Sequence, residues 1–315
     1  MRLKLLPPRV SRRRRAFHRA GMSSDLASPV CRSSRLPLAR GTFVSGERGL
    51  QLAQIDFAAS LSFAGVRDPR FATRPPATQV AITSRIRERG LVAGCVVCGA
   101  PADVCRPLWT CVDVAGRRAL EAKLDVAMEA ARRLGARQIV ALTGVDPDSP
   151  PESEIDRFVS NLAWAASRVA DEGLTLCLEP TNARTLPGML LNHFEEGCEI
   201  ARAVGRPPVR MIYDTAHRQS MNGDLLGKFE RAFNLIEIVQ IANHPDRTEP
   251  AIGEANLATV LEKVHECGYG GLVELEHIWS KGGLEAEQRG LGWLRRIDSS
   301  LASAKLRDLH RACSN

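Results

Sequence analysis

The sequence predicts a parallel α/β barrel of the (β/α)8 type. Three observations carry this expectation. From residue 54 onward, short apolar runs alternate with amphipathic stretches, the pattern of buried parallel strands and covering helices. Four of those runs end in oxygen-bearing side chains, Glu179, Asp214, Gln240 and Glu276, separated by 35, 26 and 36 residues. Each gap fits one strand–loop–helix unit, and polar groups repeated at strand C-terminal ends point to one shared site at a barrel mouth. Finally, 315 residues at 44% hydrophobic suffice for a single large core, since such a barrel needs about 250.

The expected strands are 54–63, 92–99, 137–144, 174–179, 209–214, 235–242 and 271–277. The expected helices are 78–90, 115–134, 153–172, 192–204, 224–233, 256–267 and 284–297. Helix 115–134 is the clearest. Leu120, Leu124, Ala127, Met128 and Ala131 form one stripe, and Gly135 follows as a C-terminal stop. Only seven strands are visible. The 28 residues between the first two are too few for a helix, a strand and another helix, since one βαβ unit takes about 30. Pro69, Pro75 and Pro76 also argue against a central strand in 64–77. The second strand is therefore expected to be missing or eroded. The domain reading is a basic extension over 1–50, one barrel domain over 51–300 and a tail over 301–315.

The net charge of +7 is concentrated at the N-terminus. Residues 1–40 hold eleven Lys or Arg and one acid, Asp25, which leaves 41–315 at about −3. The folded part is not strongly basic, which argues against nucleic acid as its partner. The extension is Arg- and Ser-rich with little periodicity. Arg12 to Arg15 faintly resemble a twin-arginine signal, but no apolar stretch follows. A transit peptide, a mis-assigned start and a nucleic-acid-binding arm remain open readings. No run approaches the ~18 apolar residues of a membrane span. The nine cysteines are scattered, as reduced thiols of a cytoplasmic protein would be. Cys95 and Cys98 form a C-x-x-C in a strand-like run, where i and i+3 point to opposite faces; core cysteines are expected.

Two glutamates, one aspartate and one amide oxygen make a hard-cation site, suited to Mg2+ or Mn2+ more than to Zn2+. Pro180 stops the ladder directly after Glu179, and Asn182 and Arg184 follow in the loop. His217 lies three residues past Asp214, near the same opening, as a ligand or a substrate donor. Gln240 is an amide in an apolar strand and must find partners. Arg247, in the loop after that strand, suits bidentate binding of a carboxylate or phosphate. Glu274 shares a strand face with Glu276 and should sit one layer deeper, while His277 should point away. A divalent ion between two glutamates acidifies the C–H beside a substrate carbonyl, so one Glu can remove that proton and the other deliver it to the neighbouring carbon. Aldose–ketose isomerisation and epimerisation both follow from that arrangement.

The sequence resembles the hydroxypyruvate isomerase-like branch of the xylose isomerase-like TIM barrels over roughly 105–297. The matching segments run from Leu176 to Asn182, Pro187 and Gly188, Tyr213 to His217, Gly223 to Leu225, Val239 to Ala242, Arg247 to Pro250 with Gly253 and Glu254, and Gly268 to Glu276. The resemblance implies a divalent metal held by Glu179, Asp214, Gln240 and Glu276. Glu179 and Glu276 would double as the acid–base pair, with His217 and Arg247 contacting substrate. Gln240 stands where many sugar epimerases of the superfamily carry His, which favours the isomerase branch. DNA-repair endonucleases of this fold need a His-rich cluster for several zinc ions. The chain departs from the branch at Asn243 to Arg247, where a small residue and Pro-Gly usually precede the Arg, and at Thr181, Thr215 and Ala216, which replace bulkier residues.

The expected function is metal-dependent isomerisation of a small hydroxy-carbonyl compound. The alternatives are a ketose 3-epimerase and a non-catalytic metal- or ligand-binding barrel. A barrel lacking a strand would expose sheet edges and invite homo-oligomerisation.

Overall fold

The computed structural model describes residues 38–41, 48–205, 209–281 and 288–301. Parallel strands alternate with helices along the chain. The strands are β1 (Leu38–Gly41), β2 (Gly65–Arg67), β3 (Val92–Ala93), β4 (Val96–Val97), β5 (Gln138–Ala141), β6 (Thr175–Leu178), β7 (Val209–Asp214), β8 (Ile236–Ile241) and β9 (Val273–Leu275). Their order in the sheet is β3-β2-β1-β9-β8-β7-β6-β5-β4. β3 and β4 are two halves of one passage, separated by Gly94 and Cys95. One half pairs with β2 and the other with β5, so the sheet closes on itself. Counted as one, they leave the eight strands of a (β/α)8 barrel.

The second strand, expected to be missing or eroded, is eroded but not missing. That strand is present as β2, reduced to three residues inside the proline-bearing stretch 64–77. Its start requires glycine, because a Cβ on Gly65 would lie 2.5 Å from the Val92 carbonyl oxygen. The first strand is β1, within the segment expected to be a basic extension, and it pairs with β2 and β9. Residues 1–37 and 302–315 of the expected extension and tail lie outside the described residues. The stretch 54–63, expected as a strand, belongs largely to helix α1 (Arg48–Ser60). Its apolar residues alternate, but the buried pair Ile55 and Ala58 has helical spacing. Asp56 faces α2 (Pro76–Glu88) and binds Arg85 at 2.5 Å and Arg89 at 2.7 Å. A closed sheet also removes the open edge that motivated self-association.

The remaining helices lie near their expected places, except the one over Thr215–Asn222, which was not expected. They are α3 (Val114–Leu134), α4 (Pro151–Asp171), α5 (Phe194–Val204), α6 (Thr215–Asn222), α7 (Leu225–Ala232) and α8 (Leu257–Glu266), and 288–301 is also helical. Asp113 caps α3 by accepting from Gly116 N at 2.6 Å, and Gly135 ends it at φ 80°. The expected stripe from Leu120 to Ala131 is buried. None of the described helices is long and apolar enough to cross a membrane.

Inside the barrel, Cys95, Val140, Cys177, Ile212 and Ile238 form a small apolar plug. Their strand neighbours Ile139, Leu176, Leu178, Met211 and Val239 belong to the larger cluster packed with the helices. The two faces of each strand thus bury two separate cores. Cys95 belongs to the inner plug and Cys98 to the outer core, as the i, i+3 spacing requires.

Candidate active site

Two residues beyond each plug residue, the same inward-facing register reaches the barrel mouth. Cys177 is followed by Glu179, Ile212 by Asp214 and Ile238 by Gln240. Asp214 lies opposite Gln240 in the sheet, and Gln240 lies opposite Glu274. The strand period therefore stacks a polar layer on an apolar floor. Glu179, Asp214, Gln240, Glu274 and Glu276 are all buried. Burying so many carboxyls is unfavourable unless cations or hydrogen bonds answer them.

Two arginines supply that answer. Arg247 Nη2 lies 2.7 Å from Asp214 Oδ2 and 3.2 Å from Glu276 Oε1. Arg67, at the end of β2, donates to Glu276 from Nη1 and lies 3.5 Å from Glu274 Oε2 through Nε. Sequence reasoning missed Arg67, because its strand was not recognised. Gln240 Nε2 donates to Glu274 Oε2 at 2.9 Å, so Glu274 sits in the deeper, paired place expected of it. Gly94 makes room for this group, since a Cβ there would stand 2.7 Å from Glu274 Oε1 and 2.9 Å from Arg67 Cβ.

His217 joins the cluster. Asp214 caps α6 by accepting from His217 N at 2.8 Å, which sets the imidazole over the site. Its Nδ1 accepts from Asn182 N at 3.1 Å and lies 2.8 Å from Asn182 Nδ2. The Asn182 amide is oriented by Thr185 N, which donates to its Oδ1 at 2.9 Å. An accepting Nδ1 leaves the proton on Nε2 in the neutral ring. That nitrogen faces Glu179 Oε1 at 3.8 Å. His217 is thus built as a donor toward the site.

The loop bearing Arg247 is clamped. Asn243 N donates to Thr248 O at 2.9 Å, and Ile278 N donates to Arg247 O at 2.9 Å. The buried Asn243 amide donates to Pro250 O and Ala255 O and accepts from His244 N and Ala255 N. These bonds hold Arg247 in the left-handed region at φ 56°, a strained conformation for a side-chain-bearing residue. Asn243, which the sequence marked only as a departure from the branch, is what fixes the Arg247 backbone.

The charges are unequal. Burial, reinforced by Glu276, pushes the Glu179 carboxyl up to about 8. Burial also raises Glu274. Burial opposes the Asp214 charge too, but Arg247 and the His217 peptide N–H outweigh it and hold Asp214 below the usual carboxylate range. Burial lowers the His217 imidazole, keeping it neutral. A proton-holding carboxyl beside an ionised one is the arrangement acid–base chemistry needs.

The donor set also fits a divalent cation. Ligating atoms of Glu179, Asp214 and His217 all lie within 4.8 Å of one another. Gln240 Oε1 is buried with no hydrogen-bond partner among the described residues. An orphaned amide oxygen beside clustered carboxylates suits a hard ion.

A cavity of about 690 Å³ opens above this layer. Glu179, His217, Arg247, Glu276 and Arg67 line its floor, and Val97, Leu142, Leu186 and Ile278 give it apolar walls. Of the sequence-predicted residues, Glu179, His217, Arg247 and Glu276 line the cavity, Asp214 joins them through Arg247, and Gln240 lies beside Asp214 and Glu274 in the sheet. His277, expected to point away, lines the rim instead, because β9 ends at Leu275 and the alternation stops there.

A closed (β/α)8 barrel with a carboxylate-rich, cation-compatible mouth defines a class of barrel enzyme folds. The chain belongs to the xylose isomerase-like TIM barrel family, whose model matches residues 55–297. It is 34% identical over 170 residues to 2-oxo-tetronate isomerase of Cupriavidus necator, covering 54% of this chain and 64% of that one. It is 31% identical over 152 residues to hydroxypyruvate isomerase of Escherichia coli, covering 48% of this chain and 59% of that one. The matches thus span about three fifths of these relatives. Among solved structures, AP endonuclease, family 2, from Brucella melitensis superposes with a TM-score of 0.71 at 26% identity, covering 83% of this chain and 99% of that one.

Proposed function

We propose that this chain is a metal-dependent isomerase of small hydroxy-carbonyl acids. The observation that carries this reading is the cluster at the C-terminal ends of β6 and β7, where Glu179, Asp214 and His217 bring ligating atoms within 4.8 Å of one another and Arg247 ties Asp214 to Glu276. The names of the similar proteins support it, since both denote isomerases of short 2-oxo acids. The cavity supports it too, because four arginines line it, a setting that suits an acidic substrate.

Glu179, Asp214, Gln240 and Glu276 would hold Mg2+ or Mn2+. When bound, such an ion would draw electron density from a carbonyl and its neighbouring hydroxyl and acidify the C–H at the hydroxyl-bearing carbon. One of Glu179 and Glu276 takes that proton, and the C–H electron pair forms an enediolate on the substrate. The other glutamate gives a proton to the former carbonyl carbon. The hydroxyl oxygen loses its proton and becomes the new carbonyl, while the old carbonyl oxygen gains one. Hydrogen and electrons balance with no oxidant. His217, donating from Nε2, and Arg247 would hold the substrate oxygens that carry developing charge.

A single cation is the simpler fit. Among the described residues, one group of three metal-ligating side chains is found, and it contains one imidazole. An endonuclease needing several zinc ions would ask for more. Calorimetry with Mn2+ tests the site: the wild type should bind, and Asp214→Asn should bind at least tenfold more weakly. A well-folded wild type that binds neither Mn2+ nor Mg2+ would remove the basis of the reading. If metal binds but Glu276→Gln leaves every tested turnover unchanged, the barrel is a binding protein instead.

A further inference from the structure

The loop after β2 is a rigid platform at the cavity rim. It runs from Asp68 to Arg74, and Phe71 anchors it, almost fully buried. The buried Gln79 side chain gathers its backbone by donating from Nε2 to Phe71 O at 3.0 Å and Arg74 O at 3.1 Å. Arg133 Nη1 in turn fixes Gln79 by donating to its Oε1 at 2.6 Å. Asp68 accepts from Arg70 N at 3.1 Å and binds the Arg74 guanidinium, Nη2 at 3.0 Å. Four arginines line the cavity, Arg67, Arg70, Arg74 and Arg247. Three are committed: Arg67 to Glu276 and Glu274, Arg247 to Asp214 and Glu276, Arg74 to Asp68. The Arg70 side chain has no ion-pair partner among the described residues, yet its backbone is held by this clamped loop.

We propose that Arg70 is a specificity-determining residue that binds the carboxylate of the substrate at the cavity rim, while Glu179, His217 and Arg247 work on its hydroxy-carbonyl end at the floor. This rests on the isomerase reading and names the residue that would select its acids over neutral sugars. An exposed guanidinium on a clamped backbone, with no ion-pair partner among the described residues, offers a bidentate partner without first breaking an ion pair. The Asp68 carboxylate that also lines the cavity is taken up by Arg74, so the carboxylate of a short acid at Arg70 sets which end reaches the catalytic layer. Arg70 touches no residue of the acid–base set, so its removal leaves that chemistry standing.

The test compares wild type, Arg70→Gln and Arg70→Lys in Mn2+ with two substrates, hydroxypyruvate and the neutral dihydroxyacetone. Arg70→Gln should raise KM for hydroxypyruvate about tenfold or more, as loss of a charged hydrogen bond does, with kcat within about twofold. Arg70→Lys should recover part of the loss, and dihydroxyacetone parameters should be unmoved. Equal losses on both compounds, or no change on either, would overturn the proposal. Binding of the unreactive acid glycerate, followed by calorimetry, separates this from failure of the isomerase reading. If the wild type turns over neither compound, a tenfold weaker glycerate affinity in Arg70→Gln still supports Arg70 as the carboxylate site. An unchanged affinity overturns it.

Discussion

The peptide N–H of Asn182 points at Nδ1 of His217 across 3.1 Å, so a loop after β6 sets the tautomer of an imidazole on α6. The proton this places on Nε2 faces Glu179. In Asn182→Ala the backbone donor stays but the side-chain amide at 2.8 Å is lost, and the ring gains freedom to turn. The expected outcome is a fall in kcat/KM of about tenfold with the fold retained. Nitrogen NMR of the wild-type imidazole should show the Nε2–H form across neutral pH. A ring protonated on Nδ1 would contradict the assignment.

The raised Glu179 carboxyl makes metal affinity pH-dependent. Its folded value of about 8 lies above the ordinary 4.5, so at neutral pH an incoming cation must displace a proton. Apparent Mn2+ affinity should therefore rise with pH up to about 8, by at most about tenfold per unit, and then level off. Stability of the metal-free protein has the opposite sense. The folded state holds this proton more tightly than the unfolded chain, so the contribution is full below 4.5 and is lost as pH rises through about 8. Thermal midpoints measured across that window should fall with pH in the wild type and fall less in Glu179→Gln.

Gly94 is required by the inner layer rather than by its own backbone. A Cβ there meets Glu274 and Arg67, both buried and committed to other partners. Gly94→Ala should cost about 1–3 kcal/mol in denaturant unfolding. An unchanged midpoint would mean that β3 and β4 can shift without disturbing that layer.

Arg247 bridges two carboxylates with one nitrogen while its backbone sits in the left-handed region. A lysine keeps the charge but not the planar fork. Arg247→Lys should lower kcat/KM about 10- to 100-fold, with circular dichroism unchanged. Wild-type kinetics in that variant would place substrate recognition elsewhere in the cavity.

Most of the barrel was legible because burial writes its period into the chain. From β5 to β9, apolar runs end where the strands end, and the inward register that carries Cys177, Ile212 and Ile238 carries the next polar residues to the mouth. The N-terminal quarter was not legible for two reasons. The stretch around Ile55 and Ala58 alternates well enough to read as a strand, and only packing against α2 selects the helix. β2 is three residues long and begins with a glycine chosen for space, so it offers no run to detect. Missing β2 meant missing Arg67. Glu274 was placed correctly because two residues on one strand must share a face. His277 was misplaced because that rule lapses where the strand ends.

In the proposed reaction, Glu179 and Glu276 move a proton between adjacent carbons of a hydroxy-carbonyl acid. Proton NMR of hydroxypyruvate in D2O with Mg2+ tests it most directly. The wild type should produce the aldehyde isomer with deuterium at the newly formed C–H, and Glu179→Gln and Glu276→Gln should each suppress the exchange by a factor on the order of 100 or more. A folded, metal-loaded wild type that neither exchanges nor isomerises the compound, or variants that exchange as fast as the wild type, would contradict it.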